Sequence, residues 1–300
     1  MKIGVNGGGG IHRLEDALEQ ARAAERDGFA SYWLSQIAGI DALTALAVIG
    51  HEVPHLELGT AVVPTYPRHP MALAVQALTV QAATGGRLVL GIGPSHKLLV
   101  EGMLGHSFDR PYSHTREYNT ALRTLLRGEA TDFRGDQLTA RGKVDVVAPA
   151  PPVLIAGLGP RMLALAGSEA DGTVTWMCGI KTVTQHIVPR VRAAAEAAER
   201  PAPRVVVGLP VCVTDDPKRA RALAAEKLAI YGGLPSYRAM LDREGVDAPE
   251  QIALIGDEAQ VRDSLQELAA SGATDLRATE LCPTSDDAAR TRALLRELQA

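Results

Sequence analysis

The feature that most constrains the fold is a repeated alternation of short apolar runs with longer amphipathic segments. About eight times along the chain, a run rich in Val, Leu and Ile is followed by a segment with helical periodicity. Strands that alternate with helices form a parallel sheet, because each crossover helix covers a face of that sheet. Eight such units predict a closed (β/α)8 TIM-type barrel, and a doubly wound open sheet is the alternative.

The predicted strands are separated by two longer stretches that lack a regular pattern. We place the strands at residues 1–6, 32–34, 56–63, 88–92, 153–156, 172–177, 204–214 and 275–279. The irregular stretches are residues 97–142 after the fourth strand and 232–252 after the seventh, and we expect insertions there that carry substrate recognition. A single domain over residues 1–300 is predicted, because barrels of this type reach about 250 residues or more.

Charge and composition exclude several classes of partner. The net charge is −4 and no basic run occurs, so we expect no nucleic-acid partner. No apolar stretch is as long as a membrane span and no signal-peptide pattern is seen, so we expect no membrane partner and a cytoplasmic location. Three widely spaced cysteines agree with a reducing compartment. The expected partner is a small organic substrate, and the oligomer considered is a homodimer.

Two runs resemble functional motifs only in their letters. The glycine run at 7–10 lacks the third glycine of a dinucleotide fingerprint, because His12 occupies that position. The run at 51–55 has the two histidines of a zinc-protease helix, but Pro54 lies between them and disrupts helical geometry. We therefore predict a surface turn at 51–55, no Rossmann domain and no metal site.

The carboxyl ends of the predicted strands define the candidate site, because ligands bind at that end of a parallel barrel. The fourth strand ends in the run Gly91-Ile92-Gly93-Pro94. Glycines in such a run let the backbone approach a flat ligand closely. Ser95 and the titratable His96 follow. Few charged residues occur at the strand ends, which favours an apolar pocket for a flat cofactor over carboxylate-pair or metal-assisted chemistry.

The sequence resembles a known family at several runs. Residues 69–74 and 85–93 are similar to a motif of the luciferase-like flavin and deazaflavin oxidoreductases. Residues 152–163, 165–172 and 271–275 are similar to the branch of that family that uses coenzyme F420. The resemblance covers nearly the whole chain. It implies a TIM-type barrel and hydride transfer through a tricyclic ring.

The resemblance also implies where the cofactor binds. At 157–161 a strand ends and a helix begins, and the free N–H groups and dipole of a helix start favour a cofactor phosphate. In the family, the third strand carries a bulge with a non-prolyl cis peptide beneath the ring, and the matching residues are Ala61 and Val62. The implied cofactor-binding residues are Ser35, Gln36, Ala61, Val62, Gly93, Pro94, Ser95, Gly157, Leu158, Gly159, Pro160, Arg161, Met162 and Trp176.

The chain departs from the family at the end of the second strand. Many deazaflavin relatives have Asp-His there, with the histidine as a proposed proton donor, whereas this chain has Ser35 and Gln36. Neither is an acid or base near neutral pH, although both can hydrogen-bond a cofactor carbonyl or a substrate. His96 is the predicted catalytic residue, because an unperturbed histidine has a pKa near ~6.5 and exchanges protons at cellular pH. Tyr112, in the first insertion, is the rival proton donor.

These observations predict an F420-dependent oxidoreductase that transfers hydride between the deazaflavin and an organic substrate. The sparsely charged pocket and the missing Asp-His pair favour reduction of an activated C=C or C=N bond over alcohol oxidation. An FMN-dependent luciferase-like monooxygenase of the same fold is the first alternative, with FMN as the cofactor. A non-catalytic flavin-binding barrel is the second.

Overall fold

Eight parallel strands form a closed barrel in the computed structural model, which describes residues 1–8 and 11–299. The strands are β1 Lys2–Gly8, β2 Ser31–Leu34, β3 Glu57–Thr60, β4 Leu88–Gly93, β5 Val153–Ile155, β6 Gly172–Trp176, β7 Arg204–Val213 and β8 Asp275–Glu280. Each strand pairs in parallel with the next in chain order, and β8 pairs with β1. The predicted TIM-type barrel is confirmed, and the open sheet is excluded because the ring of pairings closes.

Helices follow the strands around the barrel. They are α1 Leu14–Arg26, α2 Ala42–Glu52, α3 Pro70–Ala83, α4 Lys97–Gly102, α5 Pro111–Leu126, α6 Pro160–Glu169, α7 Val188–Ala197, α8 Pro217–Gly233, α9 Pro235–Glu244, α10 Glu258–Ala270 and α11 Ser285–Glu297. A helical turn Ile180–Thr182 and a π-helical turn Val183–Ile187 precede α7. Side chains of Asp41, Asp216, Asp257 and Thr284 accept hydrogen bonds from the first turns of α2, α8, α10 and α11, which sets where these helices begin.

Both predicted insertions are present. After β4, the chain forms α4, α5 and an antiparallel hairpin of Thr131–Arg134 and Thr139–Gly142. After β7 it forms α8, α9, a 3-10 helix Pro249–Ile252 and a short strand Leu254–Gly256. The short strand is absent from the sequence prediction. It pairs with the end of β7, which continues beyond its pairing with β6.

Several predicted bounds differ from the structure. The sequence predicts a continuous third strand over 56–63, but β3 stops at Thr60 and pairing with β4 resumes at Val63–Pro64. The Ala61–Val62 peptide bond between these two parts is cis, as predicted. The predicted turn at 51–55 is wrong for its first two residues, because α2 extends through Glu52. Gly9 and Gly10 of the glycine run lie outside the described residues.

The barrel interior holds a small apolar core beneath the carboxyl ends of the strands. Trp33, Val89, Leu154, Val174 and Val206 form this core with Ala61. A Cβ atom at Gly59 would lie 2.0 Å from the Trp33 ring, so glycine is required there for the indole to fit. At the opposite end, Arg204 is held between Glu57 and Asp275. Apolar side chains between the strands and the helices form the larger core.

Neither a membrane-spanning helix nor a metal-binding cluster occurs in the part of the chain that the structure describes. Within residues 1–8 and 11–299, no helix has both the length and the apolar character that crossing a membrane requires. Over those residues, there is also no group of three or more His, Cys, Asp or Glu side chains placed to hold a metal ion. That residues 1–300 form a single domain stays a prediction.

Candidate active site

A cavity of about 1230 Å³ lies at the carboxyl ends of the barrel strands. Its wall is built from the chain just after β3, β4 and β5, from parts of β6 and β8, and from the starts of α4, α6 and α9. Small-molecule sites usually enclose roughly 300–1,000 Å³. This cavity is therefore large enough for a cofactor with a substrate beside it.

Most of the predicted site residues meet in the wall of this cavity. They are Ala61, Val62, Gly93, Pro94, Ser95, His96, Gly157, Leu158, Gly159, Pro160, Arg161, Met162 and Trp176. The rival proton donor Tyr112 also lies in the wall. Ser35 and Gln36 do not line it.

The cis Ala61–Val62 bulge forms one side of the cavity and is held by β2. The Ser35 hydroxyl donates to the Ala61 carbonyl oxygen at 2.6 Å, and the Gln36 backbone N–H donates to the Val62 carbonyl oxygen at 3.2 Å. The Gln36 side-chain oxygen accepts from the Ala42 N–H at 3.2 Å, at the start of α2. Both residues therefore bond to the protein around the bulge.

The start of α6 is an uncapped helix N-terminus at the cavity. Gly159 is its N-cap residue with φ −77° and no side-chain cap, and Pro160 is the first helical residue. A Cβ atom at Gly159 would meet nothing within 4 Å, so the space in front of this helix end is open. Backbone N–H groups and the helix dipole favour an anion at such a place. A cofactor phosphate fits there.

Two further residues shape this anion site. The Arg161 guanidinium lies 4.0 Å from the centre of the Tyr112 ring, which orders a cation beside the helix start. His186, on the π-helical turn, donates from Nε2 to the Leu158 carbonyl oxygen at 2.7 Å. The loop between β5 and α6 is thus anchored by a buried side chain from the next unit of the barrel. Sequence analysis did not identify His186, because no motif marks it.

His96 lies at the start of α4, directly after Ser95. Ser95 has a φ of +65°, a left-handed conformation that is uncommon for a residue with a side chain. The His96 ring lies 5.5 Å from the Tyr237 ring, measured between centroids, and both residues line the cavity. Burial lowers the pKa of His96 below its ordinary value, so the neutral imidazole predominates at pH 7.

Arg277 on β8 and Tyr237 on α9 are among the cavity residues that are missing from the sequence prediction. Tyr237 comes from the second insertion, where the sequence has no regular pattern. Arg277 had a signal, because Asp275, Arg277 and Thr279 alternate with Leu276 and Ala278 along one strand. In a barrel, the two sets point to opposite faces of the sheet. Leu276 and Ala278 face the surrounding helices, and Asp275, Arg277 and Thr279 therefore face the barrel interior.

The fold and the cavity together define a TIM-barrel protein with a large cavity at the carboxyl ends of its strands and an uncapped helix start in the cavity wall. Residues 1–275 match the family model of the luciferase-like monooxygenases. The chain belongs to this family of enzymes, as its sequence resemblance predicts.

A relative and two solved structures are similar to the chain over most of its length. The chain is 30% identical over 274 residues to a 5,10-methylenetetrahydromethanopterin reductase of Methanolobus tindarius, covering 89% of this chain and 82% of that one. The coenzyme F420-dependent tetrahydromethanopterin reductase from Methanopyrus kandleri has a TM-score of 0.84 at 21% identity, over 99% and 97% of the two chains. An F420-dependent secondary alcohol dehydrogenase in complex with an F420–acetone adduct has a TM-score of 0.83 at 18% identity, over 99% and 97%.

Proposed function

We propose that this protein is an F420-dependent oxidoreductase that reduces an activated C=C or C=N bond of a small organic substrate. The observation that carries the proposal is the uncapped start of α6, which opens into the same large cavity as the cis Ala61–Val62 bulge. The helix start suits a phosphate, and the cavity beside it has room for a flat ring system. The F420 dependence of the two solved structures named above supports the choice of that cofactor.

The residues of the cavity fit such a cofactor. Gly159 and Arg161 would hold a phosphate through free backbone N–H groups, and the Arg161 guanidinium would add a cation in open space. Pro160 has no N–H and would contribute by fixing the start of the helix. Ala61, Val62 and Gly93 would lie against the ring, because small side chains and close backbone leave a flat surface. A Cβ atom at Gly93 would lie 3.1 Å from both Val62 Cγ2 and Ala156 Cβ, so these walls are already in close contact.

The chain's own residues account for the remaining chemistry. Reduced F420 supplies a hydride when it is bound. A C=C or C=N bond that gains a hydride at one end must gain a proton at the other, and an imidazole nitrogen of His96 would hold that proton. Ser35 and Gln36 cannot serve as acid or base for an alcohol, and their hydrogen bonds to the Ala61 and Val62 carbonyls give them a structural use. This favours reduction over alcohol oxidation.

Cofactor titration followed by single turnover tests the proposal. The apo-protein is titrated with F420 and with FMN while cofactor fluorescence is followed, and F420 is expected to bind more tightly. Reduced F420 on the protein is then mixed with a panel of enones and imines, and loss of its absorbance reports turnover. Tight binding of FMN without F420 would favour the monooxygenase alternative. F420 binding with no turnover on any panel member would favour a non-catalytic barrel.

Two further sequence predictions belong to this proposal. A cytoplasmic location is tested by cell fractionation. Formation of a homodimer is tested by light scattering of the purified protein at micromolar concentration.

A further inference from the structure

Arg277 is a cation inside the barrel at the cavity. It is 3% exposed, and it lines the cavity from β8. A Cβ atom at Gly208 on the neighbouring strand β7 would lie 2.6 Å from the Arg277 Cζ, so the glycine leaves the room that the guanidinium occupies. The guanidinium carbon lies 5.0 Å from the centre of the Trp176 ring. The space left by Gly208 and the adjacent Trp176 ring therefore accommodate the guanidinium in the barrel wall.

This cation has no anionic partner among residues 1–8 and 11–299. Its one hydrogen bond within that part of the chain runs from Nη2 to the Thr175 carbonyl oxygen at 3.2 Å, and Nε has no hydrogen-bond partner there. The residues outside those ranges, Gly9, Gly10 and Ala300, have no acidic side chain. Burial lowers the pKa of Arg277 to about 10, which still leaves the guanidinium charged at neutral pH.

Another arginine that faces the barrel interior shows the contrast. Arg204 lies on β7 and is paired with both Glu57 and Asp275. A buried charge without a partner costs stability, and replacing it with an apolar residue is expected to be neutral or favourable. The charge of Arg277 therefore does not stabilise the fold, whereas an anionic ligand in the cavity would pair with it.

The surroundings of Arg277 indicate what that anion is. Arg161, the other arginine in the wall, lies at the α6 anion site and packs on Tyr112. Near Arg277 the side chains are aromatic. Trp176 and Tyr237 line the cavity, and Tyr231 packs against both, with its ring centroid 6.1 Å from that of Trp176 and 4.9 Å from that of Tyr237. One planar guanidinium among aromatic rings matches a planar monoanion and undercompensates a phosphate dianion.

We propose that Arg277 is a specificity-determining residue that binds a carboxylate of the substrate. This inference rests on the proposed function, because it takes the space beside the cofactor as the substrate site. The carboxylate would accept hydrogen bonds from the guanidinium and neutralise its buried charge. The reducible bond would lie in the same cavity, and neutral substrates of equal shape would bind more weakly.

Carboxylate binding to the apo-protein tests the inference without any cofactor. The probes are acetate, benzoate and cinnamate, each paired with its neutral amide, and inorganic phosphate is included. Binding is followed by intrinsic tryptophan fluorescence, since Trp176 lies beside the guanidinium, and by the shift in melting temperature. At least one carboxylate is expected to bind about tenfold to a hundredfold more tightly than its amide, the range for a hydrogen bond to a charged group. Equal binding within every pair would overturn the inference, and so would binding of phosphate alone.

Three variants make the test specific. Arg277→Met is expected to lose the carboxylate preference and to melt no lower than the wild type, because it removes an unpaired buried charge. Arg277→Lys keeps a charge without the fork and is expected to bind with intermediate affinity. Arg161→Met is the control, and its carboxylate preference should remain. A carboxylate preference retained in Arg277→Met would contradict the inference even if that variant were less stable.

The F420 affinity of Arg277→Met separates the substrate from the cofactor as the source of the anion. An affinity within about twofold of the wild type is expected. If F420 affinity instead falls more than tenfold and no carboxylate preference exists in the wild type, Arg277 binds the cofactor and the inference is wrong. Failure of F420 to bind the wild type would overturn the proposed function alone, because the carboxylate test contains no cofactor.

Discussion

The Ser35 hydroxyl donates a 2.6 Å hydrogen bond to the carbonyl oxygen of Ala61, the carbonyl of the cis peptide bond in the cavity wall. The end of β2 therefore positions the break in β3. Both residues were predicted to lie at the cofactor, but only Ala61 lines the cavity. Ser35 is better described as a positioning residue.

Replacing Ser35 tests this relationship. Ser35→Ala is expected to lower the free energy of unfolding by about 1 kcal/mol, because the Ala61 carbonyl loses its donor. F420 affinity is expected to fall severalfold as well, since the wall beneath the ring loosens, and Ser35→Thr should restore both. Urea unfolding and fluorescence titration measure the two effects. Ser264→Ala, on the exposed face of α10, is the matched control and should change neither.

The barrel could be predicted from the sequence because its evidence is repeated along the chain. Each apolar run followed by an amphipathic segment supports the same fold, so an error in the placement of one strand does not change the predicted fold. The Leu254–Gly256 strand was missed for the opposite reason. It has three residues, and it exists because β7 extends beyond the barrel to pair with it.

The cavity was predicted only in part, for a similar reason. Residues of the motif-bearing loops, such as Gly93 and Gly159, lie where sequence places them, because short loops follow directly from strand ends. Tyr237 reaches the cavity from a long insertion, whose path depends on packing rather than local pattern. The alternation along β8 indicates that Arg277 faces the barrel interior, but whether its charge is paired there depends on neighbours in space that the sequence does not specify.

The second prediction concerns the anion site at the start of α6. Gly159 has an ordinary φ and open space at its Cβ position, so Gly159→Val should fold normally. Its side chain would stand where we propose that the phosphate binds, so F420 affinity is expected to fall at least tenfold, with Gly159→Ala in between. Thermal melting and fluorescence titration measure the two properties.

Gly157 provides the contrast to Gly159 on the same loop. A Cβ atom there would lie 2.2 Å from Met162 Cγ, so Gly157→Ala should lower the melting temperature. If Gly159→Val melts far below the wild type yet binds F420 normally when folded, the α6 start is not the phosphate site.

The third prediction concerns stability in acid. His114 is stacked on Tyr66 at 3.9 Å between ring centroids, and its Nε2 lies 3.0 Å from the Thr65 hydroxyl. Burial lowers the pKa of His114 to about 4, while Glu117 opposes the shift and His106 adds to it. The unfolded chain, with a histidine pKa near ~6.5, takes up this proton first. Stability from this group is therefore complete above pH ~6.5 and is lost as the pH falls toward 4.

The loss between those two pH values is expected to reach up to about 3 kcal/mol. Urea unfolding at pH 7, 6, 5 and 4 measures it as a slope in the free energy of unfolding. His114→Gln should reduce that slope, whatever its effect on stability at pH 7. His12→Gln, at an exposed position, is the control and should keep the slope of the wild type. An identical slope in His114→Gln would show that the acid sensitivity arises elsewhere.

The last prediction concerns His96 as the proton donor. General acid catalysis commonly contributes ~10²–10⁴ in rate, so His96→Ala should lose most of its single-turnover rate while binding F420 about as well as the wild type. Because burial lowers the pKa of His96, its protonated form is the minority at pH 7 and increases as the pH falls. The wild-type rate should therefore rise as the pH is lowered below ~6.5, and the rate of His96→Ala should not. Stopped-flow absorbance of the reduced cofactor measures both rates.

Tyr237→Phe and Tyr112→Phe test the neighbouring hydroxyls as alternative proton donors, and each variant should keep the wild-type pH profile. An unchanged rate in His96→Ala, with loss of rate in one tyrosine variant, would transfer the role to that tyrosine.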